Sequence, residues 1–129
     1  MKIRAPLIFI IIIVAVVLFI LYQLYAYAVG SPYLISAQDA KARIKNGEIE
    51  VILDVRTNFE RNTLGFYPGS VHIQSADLDK IMPKLYPNKA IRILAYCNTG
   101  QRARMATEKL HALGYKNSVY IATQYQTLK

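Results

Sequence analysis

The single cysteine of this chain, Cys97, opens a loop whose residue types are suited to nucleophilic chemistry. A cysteine thiolate is a strong nucleophile, and a nearby glycine lets backbone N–H groups converge on an anion. An arginine adds a fixed positive charge that can hold an anion through two parallel hydrogen bonds. All three features lie within six consecutive residues, Cys97-Asn98-Thr99-Gly100-Gln101-Arg102. The loop therefore predicts a reactive cysteine beside an anion site.

The segments on either side of this loop predict a strand before it and a helix after it. Residues 91–96 are mostly apolar, as in a buried strand, and residues 103–113 repeat apolar side chains at helical spacing. The cysteine would then lie at a helix N-terminus, where free N–H groups and the helix dipole favour thiolate over thiol. An isolated cysteine is more often an inert buried side chain, but polar and cationic neighbours favour the reactive interpretation of Cys97.

Strand-like and helix-like segments alternate through residues 31–129. Predicted strands cover residues 33–35, 51–55, 71–73, 90–96 and 119–121, and predicted helices cover residues 37–45, 76–85 and 103–113. Residues 57–68 are predicted to form a loop, within which a short helical turn stays open. This alternation is typical of an α/β domain with a mainly parallel sheet. Ligands of such sheets bind beyond the carboxyl ends of the strands, where the turn at residues 54–56 and Cys97 would both lie.

Two motifs, taken together and in this order, resemble those of the rhodanese domain, the fold of a class of sulfurtransferases. The first is Leu53-Asp54-Val55-Arg56 followed by Gly65-Phe66-Tyr67-Pro68-Gly69, which is similar to the family's L-D-V-R … G-H-I-P-G stretch. The second is the cysteine loop, which is similar to the family's active-site loop, C-x-x-G-x-R. Phe66 stands where the family has histidine, and Arg61 stands where an aromatic residue is common. The resemblance covers residues 31–121 and implies a rhodanese-like three-layer fold with a mainly parallel central sheet.

By this resemblance, Cys97 is expected to be the catalytic nucleophile. Its thiolate would take the outer sulfur of a small anionic donor such as thiosulfate, hold it as a persulfide and pass it to a thiol or cyanide-like acceptor. Asp54 and Arg56 are expected to give structural support, since a carboxylate after a buried strand often holds a neighbouring loop. The rest of the cysteine loop is expected to bind the substrate: Asn98, Thr99, Gly100, Gln101 and Arg102.

Two other functions stay open on the sequence. Cysteine-dependent phosphatases and arsenate reductases share the order of cysteine, loop and arginine, but their loop typically has five residues between the two. This chain has four residues between Cys97 and Arg102, and a shorter loop suits one sulfur atom better than a tetrahedral oxyanion. The third hypothesis is a rhodanese-like fold that serves as an anchored interaction module without catalysis.

The remaining polar residues near the two motifs are assigned mainly structural roles. Arg56 is expected to pair with Glu60 and to fix the segment between them. His72 is expected in a half-buried strand position, and His111 is expected on the exposed face of the last helix without a role. Arg104 is expected either at the mouth of the pocket or on a solvated helix surface.

The N-terminal part of the chain is an almost unbroken apolar run, residues 7–29. At about 1.5 Å per residue, a helix of this length spans roughly 34 Å, which is enough to cross a bilayer. Tyrosines cluster at its C-terminal end, as in an interfacial aromatic belt, and Gly30-Ser31-Pro32 breaks the helix. We therefore predict a single-pass membrane anchor in residues 1–30 and a rhodanese-like domain in residues 31–129. Basic residues lie on both sides of the run, so both orientations in the membrane stay open.

A cleaved signal peptide is the competing interpretation, since Ala26-Tyr27-Ala28 has the small-x-small form of a cleavage site. The apolar run is longer than the usual core of a signal peptide, which favours the uncleaved anchor. A buried helix of a soluble domain is disfavoured, because about 100 residues cannot cover a helix that is apolar on all sides.

The domain is basic, but its sequence does not indicate nucleic-acid binding. Residues 31–129 hold fourteen of the sixteen Lys and Arg and all eight Asp and Glu, and the basic residues are scattered. This charge is expected to attract anionic lipid headgroups or an anionic substrate. The sequence has no metal-ligand spacing, Walker loop or dinucleotide fingerprint, so no metal and no cofactor are expected. A single cysteine cannot form an intramolecular disulfide.

Overall fold

The computed structural model describes residue 2 and residues 4–129, and it shows a long N-terminal helix followed by an α/β domain. The helices are α1 (Ala5–Val29), α2 (Ala37–Lys45), α3 (Asn58–Leu64), α4 (Leu78–Leu85) and α5 (Gln101–Ala112). The strands are β1 (Val51–Asp54), β2 (Val71–His72), β3 (Ile93–Tyr96) and β4 (Ser118–Tyr120). Two 3₁₀ turns, Ser75–Asp77 and Tyr125–Leu128, complete the described elements.

Four parallel strands form one sheet in the order β2-β1-β3-β4. The central strands β1 and β3 pair along their whole length. β3 is buried at all four positions, which agrees with the continuous apolar run that predicted it. The predicted strand at residues 33–35 is present only as a single parallel bridge between Leu34 and Tyr120, so it extends the sheet by one residue pair.

Helices cover both faces of the sheet, which gives the expected three layers. Along β3, Ile93 and Ala95 face one core, together with apolar residues of α4 and α5. Leu94 and Tyr96 face a second core, which is formed with α2 and the C-terminal 3₁₀ turn. This alternation follows from the two-residue period of a strand. The predicted three-layer α/β fold with a mainly parallel central sheet is confirmed.

Capping residues determine where two of the helices begin. In α2, Ser36 Oγ accepts a hydrogen bond from the backbone N–H of Asp39 at 3.0 Å, as its position predicts. In α3, Thr57 and Glu60 form a reciprocal capping box. Residues 57–68 contain more helix than predicted: where a loop with a short helical turn is expected, this capping box starts a helix of seven residues.

α1 differs from the other helices because nearly all its side chains are exposed. All its residues as far as Tyr25 are exposed, and Ala28 is the buried residue of this helix. By length and composition α1 can cross a membrane, and a signal sequence near the N-terminus would meet the same criteria. The domain covers only the last turns of this helix, so most of its apolar surface needs another apolar environment to cover it.

Candidate active site

Cys97 follows the last residue of β3, and α5 begins four residues later at Gln101. The backbone N–H of Gly100 donates a hydrogen bond to Cys97 Sγ at 3.1 Å, and Cys97 is 1% exposed. Both this N–H and the N-terminus of α5 stabilise negative charge on the sulfur. The structure thus has the arrangement that the flanking segments predict, with the sulfur at a helix N-terminus.

Gly100 is required by the shape of this loop. Its φ of +105° lies in the left-handed region, which residues with a side chain disfavour. A Cβ atom at this position would also lie 2.7 Å from Ala122 Cβ and 3.1 Å from Ala28 Cβ. The loop is therefore covered by the segment after β4 and by the end of α1. A larger residue at position 100 would displace the N–H that faces the sulfur.

Arg102 is held by Glu60 rather than left free to bind an anion. Its Nη1 and Nη2 donate to Glu60 Oε1 and Oε2, each at 2.7 Å, and Asn98 Nδ2 donates to Oε2 at 2.8 Å. Hydrogen bonding by Arg102 lowers the pKa of Glu60 to about 2, and the same bonds raise the pKa of Arg102. The expected pair of Arg56 with Glu60 is wrong, because Glu60 points from the first turn of α3 toward the cysteine loop.

Arg56 pairs with Asp54 beneath the loop. Its Nε and Nη2 donate to the two carboxylate oxygens of Asp54 at 2.9 and 2.8 Å, and both side chains are almost fully buried. Burial by itself would raise the pKa of Asp54, but hydrogen bonds from Arg56 lower it on balance. Arg56 also donates to Gly65 O at 2.7 Å and to Asn98 Oδ1 at 3.3 Å. The pair therefore joins the turn after β1 to the cysteine loop.

A second guanidinium group, that of Arg61, shares the carboxylate of Asp54. Arg61 Nη1 donates to Asp54 Oδ2 at 3.1 Å and to Ser70 Oγ at 2.9 Å. Its Cζ lies 3.8 Å from the centre of the Phe66 ring, so the two residues that depart from the rhodanese motif contact each other. Because one carboxylate faces two arginines, this cluster carries one positive charge in excess.

A small cavity of about 190 Å³ opens beside Asn98. Its lining residues are Arg56, Leu64, Asn98, Gln124 and Gln126. Arg56 gives the cavity a buried positive charge, and the amide side chains give it hydrogen-bond donors. A water molecule occupies about 30 Å³ in the liquid, so the volume suffices for a small anion. The two glutamines could not be identified from the sequence, since no local pattern marks the segment after β4.

The two histidines have structural partners. His72 is half-buried in β2, as predicted, and its Nε2 lies 2.7 Å from Arg56 O. His111 is half-buried rather than exposed, because its ring stacks on that of Tyr33 at 3.7 Å and its Nε2 lies 2.8 Å from Ser118 O. Among the described residues, His, Cys, Asp and Glu form no group of three or more that could hold a metal ion.

The end of α1 packs directly against the cysteine loop and the start of α5. Gln101 Nε2 donates to Leu24 O at 3.2 Å. Arg104 Nη1 donates to Tyr27 O at 2.5 Å, and its guanidinium lies 4.0 Å from the centre of the Tyr27 ring. Arg104 therefore lies between α1 and the domain, and not at a pocket mouth or on a solvated surface. The sequence does not predict this contact, although the small side chain of Ala28 at the end of an otherwise bulky helix is compatible with close packing there.

Comparison with known proteins places this geometry in one family. The rhodanese-like domain family model matches residues 36–124. The human single-domain sulfurtransferase TSTD1 superposes with a TM-score of 0.62 at 22% identity, covering 75% of this chain and 95% of that chain. A Rhodopseudomonas palustris protein described as a possible tyrosine phosphatase has a TM-score of 0.67 at 23% identity, and the superposition covers 81% of this chain and 85% of that chain.

A third similar structure is a rhodanese-related protein of Thermoplasma volcanium, with a TM-score of 0.59, 28% identity, and 73% of this chain and 87% of that chain covered. No curated protein sequence matches this chain at a significant level. The family match begins after α1 and includes Asp54, Arg56 and the whole cysteine loop.

Proposed function

The chain belongs to the rhodanese-like domain family, and on that premise we propose that it is a membrane-anchored sulfurtransferase that carries sulfur as a persulfide on Cys97. The observation that carries this proposal is the hydrogen bond from the N–H of Gly100 to Cys97 Sγ at the N-terminus of α5. A donor already directed at the sulfur stabilises the thiolate before the reaction and the sulfur anion that forms in it.

The reaction proceeds in two displacements at sulfur. The thiolate of Cys97 attacks the outer sulfur of thiosulfate, the sulfur–sulfur bond of the donor breaks, and its electron pair leaves with sulfite. A thiolate or cyanide then attacks the outer sulfur of the persulfide, and the electron pair of the broken bond returns to Cys97. The nucleophile loses no proton in either step, so a thiolate held at a helix N-terminus needs no partner base.

The charge near the loop supports an anionic donor. Glu60 neutralises Arg102, so the excess positive charge comes from Arg56 and Arg61, which share the carboxylate of Asp54. Arg56 lines the small cavity beside the loop, where amide side chains offer hydrogen bonds to sulfonate oxygens. We propose that the leaving sulfite group occupies this cavity.

A cysteine-dependent phosphatase is the second candidate, because the R. palustris neighbour is described as a possible tyrosine phosphatase. Phosphoryl transfer requires several donors around the oxygens of the phosphate. Here only four residues separate Cys97 from Arg102, and both terminal nitrogens of Arg102 bind Glu60. A short loop and an engaged arginine favour the transfer of a single sulfur atom. A module without catalysis would need neither the buried thiol nor the N–H directed at it.

We also propose that α1 is an uncleaved membrane anchor. Cleavage after Ala28 would remove the carbonyl groups that bind Gln101 and Arg104, and it would uncover Gly100. Membranes from expressing cells should retain the protein through high-salt and alkaline carbonate washing, because hydrophobic insertion is not screened by ions. Recovery of a mature protein that lacks α1 would contradict the anchor.

Steady-state turnover separates the two candidate reactions. The full-length protein should produce thiocyanate from thiosulfate and cyanide, and it should hydrolyse aryl phosphates at a negligible rate. Cys97→Ser should abolish thiocyanate production, because a hydroxyl oxygen cannot hold the transferred sulfur as a persulfide. Phosphate hydrolysis that requires Cys97 and exceeds sulfur transfer would favour the phosphatase.

A further inference from the structure

A groove of about 450 Å³ lies between the last turns of α1 and the cysteine loop. Its walls consist of three side chains from α1 and three residues of the domain: Leu21, Leu24, Tyr25, Thr99, Gln101 and Ala122. The groove lies outside the small cavity that we assign to the sulfonate group of the donor, and the two share none of their lining residues.

Hydrogen bonds hold the two walls of this groove together. The last carbonyl groups of a helix have no partner within it, and here the domain supplies partners to the end of α1. Arg104 donates to Tyr27 O, and the hydroxyl of Tyr120 donates to Ala28 O. Gln101 reaches back to Leu24 O. These hydrogen bonds join the end of α1 to the domain and set the position of the groove beside the cysteine loop.

The groove has an apolar end and a polar end. Leu21, Leu24 and Tyr25 are each about half exposed, and they continue the apolar surface that α1 presents along its length. At the other end, the side chains of Thr99 and Gln101 hydrogen-bond to each other. Because residues 21–25 belong to the last turns of the membrane helix, this change from apolar to polar falls at the boundary between hydrocarbon and water.

The polar end of the groove reaches the residues that surround the sulfur. Thr99 directly precedes Gly100, whose N–H binds Cys97 Sγ at 3.1 Å, and Ala122 packs against Gly100. The outer sulfur of a persulfide extends about 2 Å beyond Sγ. Cys97 itself does not line the groove. An acceptor that meets the outer sulfur from this side would place its thiol at this end and its apolar part along α1.

We propose that the groove binds the alkyl chain of an amphiphilic thiol that resides in the bilayer and accepts the sulfur from Cys97, an inference that rests on the proposed sulfurtransferase function. The acceptor thiolate attacks the outer sulfur of the persulfide and forms a new sulfur–sulfur bond. The bond to Cys97 Sγ breaks, its electron pair stays on Cys97, and the acceptor leaves as an alkyl persulfide. Neither an oxidant nor a reductant is consumed.

The continuity of the apolar surface identifies this occupant. The exposed side chains of α1 require a lipid environment, and the groove is the place where that environment meets the cysteine loop. A small hydrophilic thiol would gain nothing from Leu21 and Leu24. An ordinary phospholipid would cover them, but it would bring no thiol to Thr99.

Sulfur transfer by the full-length protein in phospholipid vesicles tests this inference. The readout is kcat/KM for decanethiol divided by kcat/KM for 2-mercaptoethanol, with thiosulfate as donor. Leu21→Trp fills the groove and should lower this ratio about tenfold, the effect of removing about two methylene groups from apolar contact. Ile20→Trp is the matched control, since Ile20 is equally exposed, points about 100° away on the helix and does not line the groove. Partition into the bilayer is the same for both variants, so equal ratios in the two would overturn the proposal.

A binding measurement without catalysis separates this inference from the proposed function. The chain contains no tryptophan, so Tyr25→Trp in a Cys97→Ser background gives a single reporter in the groove. A long-chain alkanethiol with a terminal bromine should quench this tryptophan saturably, whereas Ile20→Trp in the same background should be quenched only in proportion to the concentration in the bilayer. Linear quenching of both reporters would refute binding of the alkyl chain in the groove, even if the wild type transfers sulfur. If quenching of the Tyr25→Trp reporter is saturable but the wild type transfers sulfur to neither thiol, the groove binds the alkyl chain and the proposed sulfurtransferase function is refuted.

Discussion

Glu60 accepts hydrogen bonds from both terminal nitrogens of Arg102 at 2.7 Å, and the same carboxylate takes part in the capping box with Thr57 that starts α3. The side chain of Asn98 binds it as well. One carboxylate thus determines where α3 begins and holds the first residue after Cys97 and the last residue of the loop. The cysteine loop is therefore held in place by a side chain of α3, a helix that precedes the loop by about 40 residues in sequence.

Replacing Glu60 by glutamine should lower stability at neutral pH, and the difference from wild type should disappear in acid. The pKa of Glu60 falls from 4.5 to about 2 on folding, so the folded state binds this proton more weakly than the unfolded state. The stabilisation is therefore complete above pH 4.5 and is lost as the pH falls toward 2. Because Glu60 and Arg102 are partly exposed, we expect Glu60→Gln to lower the free energy of unfolding at neutral pH by about 1 kcal/mol.

The measurement is the difference in unfolding free energy between the wild type and Glu60→Gln across this pH range. Glu48→Gln removes an exposed carboxylate for which the described part of the chain shows no ion pair, and it should show no such change with pH. A Glu60→Gln difference that stays constant down to pH 2 would mean that the charge of Glu60 contributes nothing.

Gly100→Ala should abolish most of the sulfur transfer, whereas Gly69→Ala should not. Both glycines have positive φ, at +105° and +83°, so both substitutions carry a backbone strain of about 1 kcal/mol. Only at position 100 does the new Cβ meet another atom, 2.7 Å away at Ala122, while position 69 has nothing within 4 Å. Movement of the Gly100 N–H should lower the rate of persulfide formation about a hundredfold.

Stopped-flow consumption of thiosulfate under single-turnover conditions would compare the two alanine variants, with melting temperature as a check on folding. We expect Gly100→Ala to lose more stability than Gly69→Ala, because its Cβ also clashes with Ala122, and to lose far more of its rate at temperatures where both variants are folded. Equal rates in the two variants would show that the N–H of Gly100 does not matter to the chemistry.

Gln126→Glu should raise the KM for thiosulfate about tenfold, because a carboxylate in the small cavity would repel the sulfonate and bind Arg56 in its place. An uncharged donor, such as an organic trisulfide, should keep its KM. Ala90→Glu introduces the same charge before β3, at the opposite end of the sheet, and should change neither value. An equal rise in KM for the charged and the uncharged donor would refute the assignment of the cavity to the sulfite group.

Local sequence patterns were sufficient for the elements that rely on local interactions. The apolar run of β3 and the Ser36 cap of α2 both predicted elements that the structure contains. The position of Cys97 at the start of a helix followed in the same way, since strand, glycine and helix are adjacent in sequence. The start of α3 could have been found too, because Thr57 and Glu60 have capping-box spacing.

Contacts between distant segments could not be predicted in this way. From the sequence, Arg56 is expected to pair with Glu60, and Arg102 is expected to bind the substrate. Only the course of the chain after β1 decides that Glu60 binds Arg102 and that Asp54 binds Arg56. The half-burial of His111 depends on the ring of Tyr33, which the single bridge at Leu34 brings alongside. The sequence of α1 does not show which of its sides packs on the cysteine loop, because α1 is apolar on every side.

Intact-mass spectrometry of the full-length protein after incubation with thiosulfate tests whether Cys97 carries sulfur as a persulfide. The wild type should gain the mass of one sulfur atom, lose it again on addition of cyanide, and show it on Cys97 after proteolysis. Cys97→Ser should gain no mass, because an alcohol oxygen does not form the persulfide. A wild-type protein that gains no sulfur, or a Cys97→Ser protein that gains as much, would refute sulfur transfer through Cys97.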